Sequence, residues 1–463
     1  MPTSDELLTQ AITAFRTGRL DDAEQQFKEL LAHDPKHLAG LNLLGMVLTA
    51  AGKIDEAERT ISAAIAVNGN SDATHYNHGV VLKALGRPEQ ALASFDRAIA
   101  INPAIADNWA MRGAVLNDLG HHDQAVDSCD KALQIDANSA GAWNARGAAC
   151  AILKRPQEAA EAFNRALGLR PDLTEAWVGL GGILSLAKQG EDALTAYDRA
   201  LALNADLPAA WLGRALSLAQ MQRKPEAIAA YREALKHGVD AEQVNYHLAA
   251  MGAEPPPAIS PAANVANAFD QYAETFDQHL TETLKYRVPQ MLADAVKRLA
   301  PAQPMDILDL GCGTGLVGAS LAALKRKLVG VDLSRNMLEK ARQRGLYDQL
   351  VHGDIAGHLD TQNAAYDLVV AADVFIYIGD LAPVFRGVRR ALRGDGLFCF
   401  SVEASADSDF VVRESFRFAH SAAYIQRLAQ QNRFAVVEME PVVIRQEGET
   451  RFEGYLVLLR CAD

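Results

Sequence analysis

The sequence predicts two domains of different class: an all-α solenoid of stacked helix pairs, then an α/β domain built on a mostly parallel sheet. Three observations predict this. An alanine recurs at a fixed period of 34 residues, a proline-rich stretch ends the periodic region, and beyond it short apolar runs alternate with helical stretches around a glycine loop. A chain of 463 residues is too long for one typical domain and long enough for two or three, each with its own core.

The recurring alanines are Ala23, Ala57, Ala91, Ala125, Ala159, Ala193 and Ala227. Four positions after each stands Phe27, Ile61, Phe95, Cys129, Phe163, Tyr197 or Tyr231. In the later copies a tryptophan precedes the alanine, at Trp109, Trp143, Trp177 and Trp211, followed at the fourth position by Gly113, Gly147, Gly181 or Ala215. All four tryptophans share this register, which assigns them to the scaffold rather than to a ligand cage. Small residues let two helices approach, a large aromatic fills the space between them, and each pair has a face that only stacking can bury.

The pattern W-x3-G, then Ala, then Phe or Tyr, then Ala166 or Ala200, then Pro35, Pro103 or Pro171 resembles the tetratricopeptide repeat, an antiparallel helix pair of about 34 residues. Seven copies run from about Thr3 to Asp240. Leu41 and His75 hold the tryptophan register in early copies, so the first three are expected to be less regular. Residues 242–252 read as a capping helix, which places the repeat superhelix at 1–252. The groove is expected to be lined by Tyr76, Ala114, Asn144, Ala148, Val178, Gly182 and Leu212. That small and apolar set suits a partner with an apolar face, or the chain's own second domain.

Residues 253–264, AEPPPAISPAAN, hold four prolines, which forbid regular helix and mark a linker. The second domain then spans 265–463. Strands are expected at DILDL, KLVGVD, QLVHGD, YDLVVAADVFIYI and GLFCFSVE, with a helix from about Leu316 to Lys325 after the first. Such alternation implies a parallel sheet covered on both faces, which binds ligands at the carboxyl ends of its strands.

The loop LDLGCGTGLVGASLA contains two overlapping signatures. From Gly313 it reads Gly-x-Gly-x-x-Gly, the turn beneath a dinucleotide pyrophosphate. From Asp309 it reads Asp-x-Gly-x-Gly-x-Gly. Asp332 stands at the distance a ribose-binding acid requires in either case. Asp309 discriminates, because a carboxylate at the strand end attracts an ammonium and repels a pyrophosphate.

With LDLGCGTG, VDLSRNMLEKAR, HGDI and YDLVVAADVF in this order, residues from about Ala266 onward resemble a class I S-adenosylmethionine-dependent methyltransferase, a seven-stranded Rossmann-like fold. GYLVLLR resembles its last, antiparallel strand. The union with tetratricopeptide repeats resembles a group of predicted bacterial repeat-containing methyltransferases. The resemblance implies S-adenosylmethionine as cofactor and S-adenosylhomocysteine as product. It implies that Gly311, Gly313 and Gly315 pass close to the methionine part and that Asp332 binds the ribose hydroxyls. Leu333 and Met337 then touch adenine, Asp354 binds its exocyclic amine with Ile355 beside it, and Ala372 or Asp373 meets the methionine amino end, near Asp309. The leading segment FDQYAETFDQHLTETLKYRV resembles the helices that cover this pocket, with Tyr272 and Phe276 on one helical face, either lining the pocket or in the core.

Because the cofactor's methyl is already activated, the protein mainly aligns the acceptor and excludes water, and a general base serves a hydroxyl or amine acceptor but not an ionised one. Candidates after the fifth strand are His420 as base, with Tyr424 and Glu403; Arg413 and Arg417 suit an acidic acceptor. The bland alternatives are a packed or capping histidine and surface salt bridges. ADVF stands where related nitrogen methyltransferases carry an Asn-Pro-Pro-Tyr type sequence, so oxygen is the expected acceptor atom. The expected function is O-methyl transfer to a peptide, protein or carrier-bound substrate recruited by the repeats. The alternatives are a small-molecule methyltransferase whose repeats serve self-association or partner binding, and an idle cofactor-sensing scaffold.

A net charge of -13 argues against a broad grip on nucleic acid. Five scattered cysteines without a Cys-x-x-Cys pair argue against disulfides and zinc, so no metal is expected. The acidic start MPTSDELLTQ and the lack of an apolar run of about 18 residues predict neither signal peptide nor membrane span, hence a cytoplasmic protein.

Overall fold

Seven helix hairpins occupy the first of two units, Met1–His237 and Gly238–Asp463, into which the chain divides in a computed structural model that describes residues 3–274, 276–278, 286–299, 303–406, 408–447 and 450–462. The hairpins are Ser4–Arg16 with Leu20–His33, Leu38–Ala50 with Ile54–Val67, Asp72–Ala84 with Pro88–Ile101, Ala106–Asp118 with His122–Ile135, Ala140–Ile152 with Pro156–Leu169, Thr174–Leu186 with Gly190–Leu203, and Pro208–Gln220 with Lys224–Lys236. The turn inside each hairpin needs a left-handed residue. Gly18, Gly52, Gly86 and Gly120 supply it in four copies, whereas Lys154, Lys188 and Gln222 adopt φ of 59°, 59° and 60° in the last three.

The aromatics sit where the 34-residue pattern requires. The Phe163 ring lies between Gly147 and Gly179, and an added Cβ would come within 2.8 Å and 2.4 Å of it. Tyr197 stands likewise between Gly181 and Gly213. Each tryptophan donates its indole N–H to a carbonyl six residues earlier, Trp109 to Pro103, Trp143 to Ala137, Trp177 to Pro171 and Trp211 to Ala205, at 2.8–3.0 Å. His75 reproduces this bond, with Nε2 3.0 Å from the Gly69 oxygen. The early copies also keep the 13- and 14-residue helix lengths of the later ones, more regular than expected, although Leu41 has no donor to make this bond. Neighbouring copies are joined by Arg112–Asp96, Arg146–Asp130 and Arg214–Asp198 pairs at 2.7, 2.9 and 2.8 Å. All five cysteines are free and buried.

The second unit begins earlier than the sequence suggests. Helix Ala241–Ala250, expected to cap the repeats, falls within it: Tyr246 clusters with Val412 and Phe418. Helix Ala262–Tyr272 begins inside the expected linker. After Val288–Leu299 the strands are β1 Met305–Leu310, β2 Lys325–Asp332, β3 Gln349–His352, β4 Tyr366–Ala371, β5 Leu392–Ser405, β6 Phe410–Val412, β7 Phe418–Ser421, β8 Phe434–Glu447 and β9 Thr450–Cys461. The order β3-β2-β1-β4-β5 is parallel throughout; β9 joins β5 antiparallel, β8 flanks β9, and the ribbon β6–β7 extends from the far end of β5. Nine strands are thus present among the described residues, the seven expected and this ribbon. The helix after β1 is shorter than expected, Leu316–Leu321, with a 3₁₀ turn Ala322–Leu324 before β2. The expected long fourth strand stops at Ala371, and Phe375–Tyr377 is a 3₁₀ turn.

Alternate residues face opposite sides, as the two-residue period of a strand dictates. Leu308, Leu310, Val329, Val369 and Phe398 join one core cluster, and Ile307, Leu328, Leu368, Val370 and Leu397 the other, so both faces of the sheet are buried.

Candidate active site

The carboxyl ends of β1, β2 and β4 open into a cavity of about 1130 Å³. This exceeds the roughly 300–1,000 Å³ of common small-molecule pockets and leaves room for a cofactor and an acceptor group together. Its floor is the glycine loop. Gly311 and Gly313 have φ of 64° and 53°, which side-chain-bearing residues rarely adopt. At Gly311 a Cβ would lie 2.5 Å from the Val374 side chain; at Gly313 the nearest atom is 3.9 Å away, on Phe276, so the backbone is bare toward the cavity.

Asp332, at the end of β2, ties this loop to the next. Its Oδ2 accepts from the Gly313 N–H and its Oδ1 from the Ser334 N–H, both at 2.8 Å. Burial raises its pKa, opposed by those two bonds. Asp354 caps helix Ile355–Asp360 through the Gly357 N–H at 2.7 Å and also faces the cavity. Two leading helices are latched onto these loops: Asp270 of Ala262–Tyr272 accepts from Ser334 Oγ and the Asn336 N–H, while Asp277 of Phe276–Gln278 accepts from Thr314 Oγ1 and pairs with Arg344.

Beneath the loop lies Asp309, fully buried. Tyr347 donates to its Oδ2, and its Oδ1 has no partner among the described residues. Burial pushes its pKa up to about 7, with the Tyr347 bond opposing and the Asp332 charge adding. Gly318, third glycine of the dinucleotide signature, is explained locally, since a Cβ there would meet the Tyr347 hydroxyl at 2.5 Å.

The cavity wall also carries Tyr286, Tyr377, Asp373, Asp380, Arg417 and Arg445. A β-bulge between Val443 and Arg445 turns both Ile444 and Arg445 inward. Arg445 pairs with the fully buried Glu403 and, at 3.5 Å, with Asp373, and its guanidinium stacks 4.5 Å over Phe452. Arg417 hydrogen-bonds Tyr377, whose pKa burial pushes up to about 12.

Of the residues expected to hold a cofactor, Tyr272, Gly311, Gly313, Asp332, Leu333, Met337, Asp354, Ile355, Ala372 and Asp373 line the cavity, as does Phe276. Asp309 and Gly315 lie behind the wall, Gly315 as the left-handed N-cap of Leu316–Leu321.

None of the three expected catalytic residues reaches the wall. His420 is fully buried on β7, with Nε2 2.9 and 3.0 Å from the Ile378 and Gly379 oxygens, and burial lowers its pKa to about 4. The Tyr424 hydroxyl donates to Asp380 and accepts the Leu381 N–H, both at 2.9 Å. Glu403 is consumed by Arg445 and Arg413. His420 and Tyr424 are thus structural supports, and Glu403 orients an arginine. The residues that sequence reasoning did not single out are Tyr286, Tyr377 and Arg445; Tyr286 lies in the leading segment expected to cover the pocket and Tyr377 in the expected fourth strand, whereas Arg445 carried no signal. Among the described residues, no group of three or more His, Cys, Asp or Glu side chains is disposed to hold a metal ion.

Comparison with known proteins finds relatives of both parts of the chain. A methyltransferase domain family matches residues 308–400; tetratricopeptide repeat families match 140–173 and 187–241, and the middle tetratricopeptide-like domain of cilia and flagella-associated protein 70 matches 9–135. A malonyl-[acyl-carrier protein] O-methyltransferase of Xylella fastidiosa is 31% identical over 169 residues, 35% of this chain and 55% of that protein. The human methyltransferase-like protein 27 is 41% identical over 95 residues, 20% of this chain and 38% of that protein. The chain therefore spans about half, or less, of the length of these curated relatives. A tetratricopeptide repeat protein of Parabacteroides merdae superposes with a TM-score of 0.43 at 19% identity, over 52% of this chain and 95% of that one. The chain consists of an N-terminal array of tetratricopeptide repeats and a C-terminal methyltransferase domain of Rossmann-like fold.

Proposed function

We propose that this protein uses S-adenosylmethionine to methylate an ionised oxygen, above all a carboxylate, on a peptide, protein or carrier-bound acceptor recruited by the repeats. One observation supports the choice of acceptor: the cavity wall includes Arg417 and Arg445, while both neutral base candidates, His420 and Tyr424, are withdrawn from it. An ionised acceptor needs a positive partner and no base.

The cofactor end suits a ligand with a cationic amino end. Asp332 and Asp354 line the cavity and would bind ribose and adenine, Gly313 leaves the backbone open, and the unpartnered Oδ1 of Asp309 lies beneath the loop. When bound, the cofactor supplies an activated methyl that an oxygen nucleophile can take directly. The chain's own residues then orient the acceptor, screen its charge and exclude water. The name of the Xylella relative, a methyltransferase of a carrier-bound malonyl group, fits an acceptor of this class. Repeats of this type bind proteins, which supports recruitment of a macromolecular acceptor. Among the described residues no helix is long and apolar enough to cross a membrane.

The test is calorimetry of the full chain with S-adenosylmethionine, S-adenosylhomocysteine and NAD, followed by methyl-transfer assay on malonyl-pantetheine. Micromolar binding of both adenosyl ligands with ester formation supports the proposal. Binding of NAD alone refutes it, and cofactor binding without turnover on any carboxylate favours the idle-scaffold reading.

A further inference from the structure

We infer that Tyr246 is a positioning residue for the acceptor end of the cavity, and that it acts by holding the strained turn that presents Arg417. This rests on the carboxylate-acceptor reading above for its purpose, not for its geometry.

The ribbon β6–β7 closes through residues 413–417, with the Arg413 N–H donating to the Arg417 oxygen at 2.9 Å and the Phe416 N–H to the Arg413 oxygen at 2.8 Å. Such short hairpin loops place one residue in the left-handed region, where glycine or asparagine is favoured. Here that residue is Phe416, at φ 56°. A bulky residue in that conformation persists only where its surroundings over-determine it, and such strain collects beside functional sites.

The over-determination comes from helix Ala241–Ala250. The buried Tyr246 hydroxyl donates to the Phe416 carbonyl at 2.5 Å. Its ring lies 5.7 Å from that of Phe416 and 6.2 Å from that of Phe418, and the His247 ring meets Phe416 edge-on at 4.7 Å. The same hydroxyl is 2.7 Å from Ser260 Oγ, and the Ser260 N–H donates to the Tyr377 carbonyl at 2.9 Å. Tyr377 in turn hydrogen-bonds Arg417. One phenol therefore fixes both sides of Arg417: the turn that carries it and the wall it leans on. Phe416 itself does not line the cavity, so its unfavourable conformation has no direct use there; its neighbour's direction does.

The experiment compares the full-length wild type with Tyr246→Phe, Phe416→Gly and the double variant. Two measurements are made with S-adenosylhomocysteine or S-adenosylmethionine present: the rate at which phenylglyoxal modifies Arg417, read by peptide mass spectrometry, and steady-state kinetics on malonyl-pantetheine. Tyr246→Phe should speed Arg417 modification and raise the acceptor KM about tenfold with kcat and cofactor affinity nearly unchanged. Adding Phe416→Gly should restore both, because glycine takes the turn without being held. A purely structural role predicts the opposite: the double variant is worse than either single one, and kcat, cofactor affinity and melting temperature fall together. That result, or an unchanged modification rate in Tyr246→Phe, overturns the inference. If wild type binds cofactor but does not methylate the probe, the acceptor reading fails, while the modification rates still decide the clamp.

Discussion

Tyr347 donates its hydroxyl proton to Asp309 at 2.6 Å, and the same ring fills the space that a Cβ at Gly318 or Gly330 would need. The third glycine of an apparent dinucleotide signature is thus a seat for a tyrosine that steadies a buried acid. Tyr347→Phe should leave both Asp309 oxygens without a donor and lower stability by about 1–3 kcal/mol, read by denaturant unfolding. An unchanged midpoint would remove Asp309 from the set of buried groups that need a partner.

Cofactor affinity should depend on pH through Asp309. Its pKa stands at about 7, so near pH 6 the carboxyl is mostly protonated in the free protein. A cationic amino end favours the ionised form, so binding below pH 7 releases a proton, and affinity should improve by up to about tenfold per pH unit up to neutrality and then level off. Calorimetry in buffers of different ionisation heat reads this directly. Asp309→Asn should flatten the profile.

Asp332→Ala removes the ties to Gly313 and Ser334 and, on the proposed binding mode, two charge-assisted bonds to a ribose. Affinity for S-adenosylhomocysteine should fall on the order of a hundredfold, since each such bond is worth roughly 1.5–3 kcal/mol. Unchanged affinity would mean the ribose lies elsewhere.

His420 should set stability, not turnover. Its folded-state pKa of about 4 lies below the usual 6.5, so the folded form holds the neutral ring. The stability linked to that ring is complete above pH 6.5 and is lost as pH falls toward 4, by on the order of 3 kcal/mol in all. Melting temperatures across this window should show the loss, and His420→Gln should flatten it while leaving the pH profile of kcat unchanged.

In the repeats, Lys188 carries a left-handed turn where four other copies use glycine. Lys188→Gly should raise stability by about 0.5–1 kcal/mol, the relief of strain exceeding the added freedom of the unfolded chain. Gly179→Ala should do the reverse by about 1–3 kcal/mol, because its Cβ would press into the Phe163 ring. Cofactor affinity should be indifferent to both.

Legibility in the sequence followed the range of the interactions. The 34-residue period and the glycine loop are local, so the helix pairs, the first five strands and much of the lining of the cavity could be read from the residues. His420 and Glu403 could not be read correctly, because their fates depend on partners 41 or 42 positions away, at Gly379 and Arg445. Arg445 turns inward only through a bulge, which breaks the two-residue alternation without any mark in the composition. Helix Ala241–Ala250 continues the helical pattern of the repeats, and only the contact of Tyr246 with the distant ribbon reveals where it belongs.

The arginine–aspartate pairs between neighbouring repeats bear on how such an array can change length. Each spans one seam only: Arg112 to Asp96, Arg146 to Asp130, Arg214 to Asp198. At the remaining seam of this series the corresponding residues are Leu180 and Asn164. Excising the fourth copy whole would set Arg146 against Asp96 and renew the bond, whereas excising the sixth would leave Arg214 facing an amide. Exposed pairs contribute at most about 1 kcal/mol each, yet their spacing means that removing the fourth copy renews a seam bond whereas removing the fifth or sixth does not.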